Sequence, residues 1–522
     1  MTDRLDLGAL VHDDGYFLVR EPKGTREPYL SNNEGTGGTY RHVLTYPASR
    51  RTIKEAALEL IQSARHKVFL ASYLLGETEL LQALFEAADR LRGGVYVVSE
   101  LSDQSLRRKL TELEDSADPD AATQTHKKYF AELTSHGIAV RGRPDCHAKF
   151  LIVDDRAALV SSANLDTNGL NSIGENGAVV TDAIEVDRLS RFFTRLWDSC
   201  AYEMPAGSAG YSVRKHAPAP SRCRVPVPQI STRPGIIWTN GDEQLILDHL
   251  HDVIARARTT LLLATYSLQG MADSPDILLD PLVKAMRDQP LRVSLLCRGR
   301  NHPPSQRRDA AALTELGVRI HADSTNHAKG AIADKRHGAL FSANFDADHG
   351  LLNGVETGVR LDGEAALTQA VHYFGHAMTH ADLEFVPHPT QHQLDQRLAA
   401  RWRSPWRGER TVRVTASDRV WQRFVTEVQR APVLYEREVD GRIRLYAGQS
   451  GWTLSTRRPT GATGARILRQ ADTPQTGTLV THSTAHELLE RWLASRGDGV
   501  AKTVKRGFLP AIIERQRGHP GR

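Results

Sequence analysis

Cysteine is scarce in this chain, with four in 522 residues. Cys146, Cys200, Cys223 and Cys297 are widely scattered and form no C-x-x-C pair, which argues against a disulfide scaffold and a structural zinc site. No apolar run approaches the roughly 18 residues that a membrane span requires, so no transmembrane segment is expected. The opening residues, M-T-D-R-L-D-L-G-A-L-V-H-D-D, are acidic and lack the apolar stretch of a secretory signal. A cytoplasmic protein is the expectation. Hydrophobic residues make up 40% and charged residues 25%, a globular profile, and the length allows about three domains.

The chain also has little net charge, +5, but that balance hides an asymmetry. Residues 401–522 hold 23 Lys and Arg against 11 Asp and Glu, while the remaining residues hold 44 against 51. A basic C-terminal region on a mildly acidic body suits a polyanion partner. Nucleic acid is the first expectation, and a peripheral membrane contact through lipid phosphates stays open.

What the chain does have, it has twice. At His147 it reads H-A-K-F-L-I-V-D, with Lys149 and Asp154 in a His-x-Lys-x4-Asp spacing. The pattern returns 180 residues later at His327, Lys329 and Asp334, as H-A-K-G-A-I-A-D. Each copy is followed by a short run ending in asparagine, S-S-A-N at Ser161 to Asn164 and F-S-A-N at Phe341 to Asn344, and then by a glutamate, Glu175 or Glu356. Two copies with matching trailers imply one site assembled from two half-sites.

The repeat extends upstream. T-I-K-E-A-A-L-E-L-I-Q-S-A-R leads into K-V-F-L-A-S-Y, and Q-L-I-L-D-H-L-H-D-V-I-A-R-A-R leads into T-L-L-L-A-T-Y. Helical periodicity giving way to a short apolar run predicts helix then buried strand. Tyr73 and Tyr266 fall at equivalent places and are expected in the core beside the site. Gly137 and Gly317 read as helix C-caps ahead of the strand that enters each motif. The expected domains are residues 1–204, a first lobe with an N-terminal extension; 205–235, a Pro/Gly/Ser-rich linker; 236–390, a second lobe; and 400–522, a basic α+β domain. In the last, G-R-I-R-L-Y-A and G-W-T-L-S-T predict strands, and H-E-L-L-E-R-W-L-A near Leu488 predicts a helix. Its tryptophans at 402, 406, 421, 452 and 492 are mostly expected in a core.

Read as a strand, the motif projects His147 and Lys149 to the same side. A pseudo-twofold doubles this to two imidazoles and two ammoniums around one cavity, joined by Asn164 and Asn344. Such a set suits a phosphodiester. Lys and Asn stabilise charge on the nonbridging oxygens, one imidazole attacks phosphorus and the other protonates the leaving oxygen. A glutamate accepting from a ring nitrogen would fix the tautomer, a role open to Glu175 and Glu356. Ser162 and Ser342 are expected to bind substrate. Asp154 and Asp334 sit where a turn begins and are expected to be structural. No carboxylate cluster accompanies the histidines, so neither a metal site nor a cofactor is expected.

These residues closely resemble the paired signature of the phospholipase D superfamily, over roughly residues 50 to 380. The resemblance implies a pair of α/β/α lobes related by a pseudo-twofold, a covalent phosphohistidine intermediate and no metal requirement. It also implies His147 as nucleophile and His327 as general acid, with Lys149, Lys329, Asn164 and Asn344 on the phosphate. The chain departs from the signature where a glycine is usual, at Ser161 and Phe341. The phenylalanine is expected to pack locally, with narrowing of the pocket or stacking on a base as alternatives.

The expected function is therefore a metal-independent nuclease, in a bacterial defence (antiviral) or repair setting, with a helicase or other defence protein as a partner. A phospholipid hydrolase or transferase of the phospholipase D or cardiolipin synthase type is the second expectation. A catalytically inert nucleic-acid-binding protein is the third.

Overall fold

The computed structural model describes residues 11, 15–21, 27–30, 38–101, 119–219, 221, 223, 225, 235–287, 289–301, 304–397, 410–415, 435–437, 443–447, 450–454 and 465–472. Two compact units result, 24–383 and a second made of 1–23 with 384–522.

The larger unit contains both motifs in two lobes of the same design. The first has strands β1 (Tyr40–Tyr46), β2 (Val68–Ala71), β3 (Val95–Ser99), β4 (Ala139–Gly142), β5 (Phe150–Val153), β6 (Ala157–Ser161), β7 (Glu175–Val180) and β8 (Tyr202–Met204). Its helices are α1 (Thr52–Ser63), α2 (Thr78–Arg90), α3 (Pro119–Ser135), α4 (Thr167–Asn171) and α5 (Ala183–Asp198). The second lobe has β9 (Gly235–Asn240), β10 (Thr260–Thr265), β11 (Arg292–Cys297), β12 (Arg319–Ala322), β13 (Gly330–Ala333), β14 (His337–Phe341) and β15 (Val355–Arg360). Its helices are α6 (Leu245–Arg256), α7 (Leu279–Arg287), α8 (Pro304–Glu315) and α9 (Ala365–Thr379).

The sheet order is β4-β3-β2-β5-β6-β7-β1 in the first lobe and β12-β11-β10-β13-β14-β15-β9 in the second, so the two orders correspond strand for strand. In each, the first three strands named are parallel, which calls for crossover connections through helices, and the rest are antiparallel. The helical periodicity of the sequence is realised in α1, whose Ile53, Ala56, Ala57, Leu60 and Ile61 are buried. Gly137 and Gly317 adopt φ of +77° and +88° and end the helices that precede β4 and β12, a conformation that glycine takes without steric cost.

The lobes interlock. Each lobe's last helix packs on the first strand of the other. From α5, Phe192 stacks on Trp238 of β9 with centroids 4.9 Å apart, and Glu185 accepts the Ile236 N–H at 2.7 Å. From α9, Tyr373 and His376 pack on Tyr46 of β1 with centroids 6.3 and 5.0 Å away. One buried cluster accordingly runs through both lobes, from Tyr46, Ala71 and Phe150 to Trp238, Ala264 and Phe374.

The motif aspartates hold turns. Asp154 accepts the backbone N–H groups of Arg65, His66 and Lys67 at 2.8, 2.8 and 3.0 Å. Asp334 accepts those of Arg258, Thr259 and Thr260 at 2.7, 2.8 and 2.8 Å. Burial opposes ionisation of Asp334, but the Thr259 hydroxyl and these N–H donors outweigh it and hold the carboxyl at about 2. Both carboxylates thus tie the turn after the motif strand to the start of β2 or β10.

Some expectations are corrected. The stretch expected as a linker from residue 205 contributes a short strand, Arg214–Lys215, that extends the first sheet beyond β8, and its far end is β9. The strand Tyr16–Val19, expected in the N-terminal extension of the first lobe, belongs to the second unit, where Phe17 packs on Phe385 at 5.1 Å. That unit also holds an antiparallel sheet of Arg410–Thr415, Tyr435–Arg437, Ile443–Ala447, Ser450–Leu454 and Ala465–Asp472. Its third and fourth strands are the two segments read as strands. The helix expected near Leu488 and the tryptophans other than Trp452 lie outside the described residues. Among the described residues no helix is long and apolar enough to cross a membrane.

Candidate active site

The motif residues meet where the two sheets face each other. His147 and Lys149 are not within a strand, since β5 begins at Phe150. They lie in the segment entering it, where the His147 N–H bonds to Val355 O of the other lobe at 2.9 Å. The His327 N–H bonds in the same way to Gly174 O at 2.8 Å. The placement of each imidazole is therefore set by the opposite lobe. Ser162 to Asn164 likewise lie past the end of β6, which stops at Ser161.

Each histidine is also held by the glutamate of the other half. His147 Nδ1 is 2.8 Å from Glu356 Oε1 in hydrogen-bonding geometry. His327 Nδ1 is 2.6 Å from Glu175 Oε1 in an ion-pair contact that is off the hydrogen-bonding line. Glu175 and Glu356 sit at the beginnings of β7 and β15 and are buried. Their second oxygens accept from serine hydroxyls, Ser162 to Glu175 at 2.5 Å and Ser342 to Glu356. The same hydroxyls accept the backbone N–H groups of Asn176 and Thr357 at 3.0 and 2.9 Å. This corrects the expected substrate-binding role of Ser162 and Ser342. Both are fully buried, and their hydroxyls fix the glutamates instead.

The lysines lie beneath the imidazoles. Lys149 Nζ donates to His147 O at 2.6 Å and Lys329 Nζ to His327 O at 3.0 Å. Burial, and their repulsion of one another, lower Lys149 to about 7 against the pull of the two glutamates; burial likewise takes Lys329 to about 8. Asn164 and Asn344 are brought to the same place, and the buried Oδ1 of each has no protein partner among the described residues. Native proteins rarely leave such atoms unpaired away from a ligand or water. Tyr73 and Tyr266 flank the histidines at centroid distances of 5.3 and 4.7 Å.

The halves are not equivalent. The His147 side chain is 21% exposed and that of His327 is 5% exposed. Burial, then the positive charges of Lys329 and Lys149, push His327 well below the usual histidine range, while burial raises Glu175 to about 8. Burial thus disfavours the charged form of both partners of this couple.

Phe341 is buried and packs near Phe345, as the local-packing expectation had it, and does not line the cavity as a stacking surface. Its Cβ and that of Ser161 face Gly358 and Gly177, where an added Cβ would come within 2.7 and 2.6 Å of them. That close approach explains the glycine two residues after each glutamate. Asn176 and Thr357 escaped the sequence reading. Asn176 Oδ1 lies 3.4 Å from the Lys329 N–H and Thr357 Oγ1 3.4 Å from the Lys149 N–H, again across the lobes. The signal was present, a hydrogen-bonding residue between Glu and Gly in both copies.

The lysine values carry a prediction. Sulfate has a fixed charge, so its affinity reports the ammonium pair. As pH rises through 7 and 8 the folded protein loses that charge, so sulfate binding is expected to weaken about tenfold or more between pH 7 and pH 9. Titration calorimetry checks this, and an affinity that holds constant over the interval refutes it.

A family model described as "Cardiolipin synthase, PLD-like domain" matches residues 57–197 and 250–378. The chain is 27% identical over 153 residues to the 5'-3' exonuclease PLD4 of Mus musculus, covering 28% of this chain and 29% of that protein. It is 29% identical over 160 residues to the probable cardiolipin synthase YwiE of Bacillus subtilis, covering 30% of this chain and 29% of that protein. The matched stretch thus spans under a third of either relative. Among solved structures, phosphatidylserine synthase of Haemophilus influenzae aligns with a TM-score of 0.46 at 13% identity, covering 69% of this chain and 90% of that one. The two segments of the family model, one in each lobe, together take in just over half of the chain, which belongs to the phospholipase D superfamily.

Proposed function

We propose that this protein is a phosphodiesterase that cleaves nucleic acid through an intermediate covalently bound to His147. The observation that carries the reading is the reciprocal pair of couples, His147 with Glu356 and His327 with Glu175, set around two buried lysines. With Nδ1 turned to Glu356, the other ring nitrogen of His147 is the attacking atom. It bonds to phosphorus as the bond to the leaving oxygen breaks, and the His327–Glu175 couple delivers its proton to that oxygen. The couple then takes a proton from water as the water attacks phosphorus, breaking the P–N bond and restoring His147. Lys149, Lys329, Asn164 and Asn344 stabilise the charge on the nonbridging oxygens throughout. Nucleophile, acid and charge stabilisation are all supplied by side chains, so the mechanism calls for no metal.

The substrate class rests on the basic residues 401–522, which suit backbone phosphates, and on the exonuclease among the relatives. Bacterial defence or repair, with a helicase or similar partner, is the setting we propose. The test is incubation of the full chain with labelled DNA and RNA and with phosphatidylglycerol vesicles, all in excess EDTA. Strand cleavage is expected. Turnover of lipid alone overturns the substrate class and favours the reading suggested by the synthase relative, and binding without turnover of either overturns the enzyme.

A further inference from the structure

A second pair of buried carboxylates lies behind the histidines, and the two halves obtain it in different ways. Each histidine is preceded by a turn, closed by Cys146 N–H to Arg143 O at 3.3 Å in the first half and by Asn326 N–H to Asp323 O at 3.1 Å in the second. The third residue of each turn, Asp145 or Thr325, stands two before the histidine. In the second half the first turn residue is Asp323, whose Oδ1 accepts the Thr325 N–H at 2.7 Å and the Thr325 hydroxyl at 2.8 Å, an Asx-turn. In the first half that place is taken by Arg143, and a guanidinium accepts no hydrogen bond. There Pro144 and a left-handed Asp145, at φ +62°, give the pattern of a type II turn, whose central peptide is flipped. The Asp145 N–H is met instead by Glu100 Oε2 at 3.2 Å. Glu100 follows β3 and Arg143 follows β4, strands that pair at Ser99 and Gly142. The two carboxylates thus occupy different positions in the repeat, yet each meets the N–H at the same point of the turn.

The turns hold the crossing between the lobes. The Val355 N–H bonds to Asp145 O at 3.1 Å and the His147 N–H to Val355 O at 2.9 Å, so Asp145 and His147 clasp the residue before Glu356. In the other half the Gly174 N–H bonds to Thr325 O and the His327 N–H to Gly174 O, both at 2.8 Å, and Gly174 is the residue before Glu175. A turn that shifts therefore moves a histidine relative to the glutamate that holds it. Glu100 is fully buried and Asp323 is 3% exposed, so loss of either acceptor strands an N–H away from water.

We propose that Glu100 and Asp323 are positioning residues of the reaction, Glu100 for the attacking imidazole and Asp323 for the proton-donating one, each acting through the turn before its histidine. The inference rests on the phosphodiesterase reading above, from which the two roles are taken.

Turnover of an oligonucleotide and of bis(p-nitrophenyl) phosphate by the full chain tests it. Glu100→Ala is expected to lower both by about 10 to 100-fold, because a misplaced nucleophile slows every substrate. Asp323→Ala is expected to lower oligonucleotide turnover by a similar factor but p-nitrophenyl turnover by less than about threefold, because only the poor leaving group needs the acid. Glu100→Gln and Asp323→Asn keep an accepting oxygen and are expected to stay within about fivefold of the wild type. If the alanine variants do not fold, Glu100→Met, of similar volume without an accepting oxygen, and Asp323→Ser, which makes the same turn more weakly, carry the same contrast. Equal losses on both substrates from both variants overturn the proposal, as does an amide variant no better than its alanine counterpart. Histidine labelled with ¹³C at Cε1 gives an NMR reading that needs no turnover, its signals assigned with alanine variants of His147 and His327. Glu100→Ala is expected to shift the His147 signal and leave that of His327, and Asp323→Ala to do the reverse. Selective shifts in a protein that hydrolyses neither substrate keep the positioning and overturn only the phosphodiesterase reading. Shifts that are absent or unselective overturn the positioning itself.

Discussion

Alanine at His147 is expected to lower turnover of every diester by about 10⁴-fold or more, whatever the leaving group, because the bond-forming atom is gone. Alanine at His327 is expected to behave differently. It removes the acid, so substrates with a poorly leaving alkoxide, such as an oligonucleotide, lose about 10³-fold or more. A p-nitrophenyl ester leaves as a stabilised anion and needs little proton donation, so it is expected to lose far less. The assignment of roles rests on this contrast. The more accessible imidazole, in line with its glutamate, is suited to attack, and the buried one beside Glu175 is proposed to donate the proton. Measuring both substrates with both variants decides the matter. The opposite pattern, with p-nitrophenyl turnover surviving only in the His147 variant, exchanges the two roles.

The second large effect follows from the crossing of the glutamates. Glutamine at Glu356 is expected to reduce turnover about 10² to 10³-fold and to do so evenly across leaving groups, because it misorients the nucleophile. Glutamine at Glu175 is expected to cut oligonucleotide turnover by a similar factor while sparing the p-nitrophenyl ester. Each glutamate should thus reproduce a weakened form of the defect caused by losing the histidine of the opposite lobe. If Glu175→Gln instead matches His147→Ala in its leaving-group profile, the couples do not operate as the geometry places them. Melting curves of both variants separate this from loss of fold, since Ser162 and Ser342 remain to bond the amide oxygens.

Much of this site was legible in the sequence because duplication turned a weak motif into a strong one. His147, Lys149 and Asn164 carry meaning through their counterparts at the same spacing. The turn-holding aspartates were legible as well, since a residue at the end of a strand is badly placed for chemistry. Which glutamate serves which histidine was not legible. His147 and Glu356 are 209 residues apart in the chain, and nothing local distinguishes a contact within one copy from a contact across copies. The serines were misread for a related reason. Alternation along a continuous strand implies that Ser162 faces the substrate, but the strand ends at Ser161 and the hydroxyl turns toward Glu175. The strand β9 begins among residues that composition marks as a linker, and it is burial of Trp238 against Phe192, a tertiary contact, that makes it part of a sheet.

The crossed couples have a consequence for the timing of activity during synthesis. His147 leaves the ribosome long before Glu356 does, and His327 meets Glu175 only when the second lobe has docked on the first. On the proposed mechanism the half-made chain therefore carries a nucleophile with no fixed tautomer and no acid. A phosphodiesterase whose substrate is nucleic acid would thus remain silent beside the messenger that encodes it, and would become competent only when the second copy of the repeat has been translated and folded against the first.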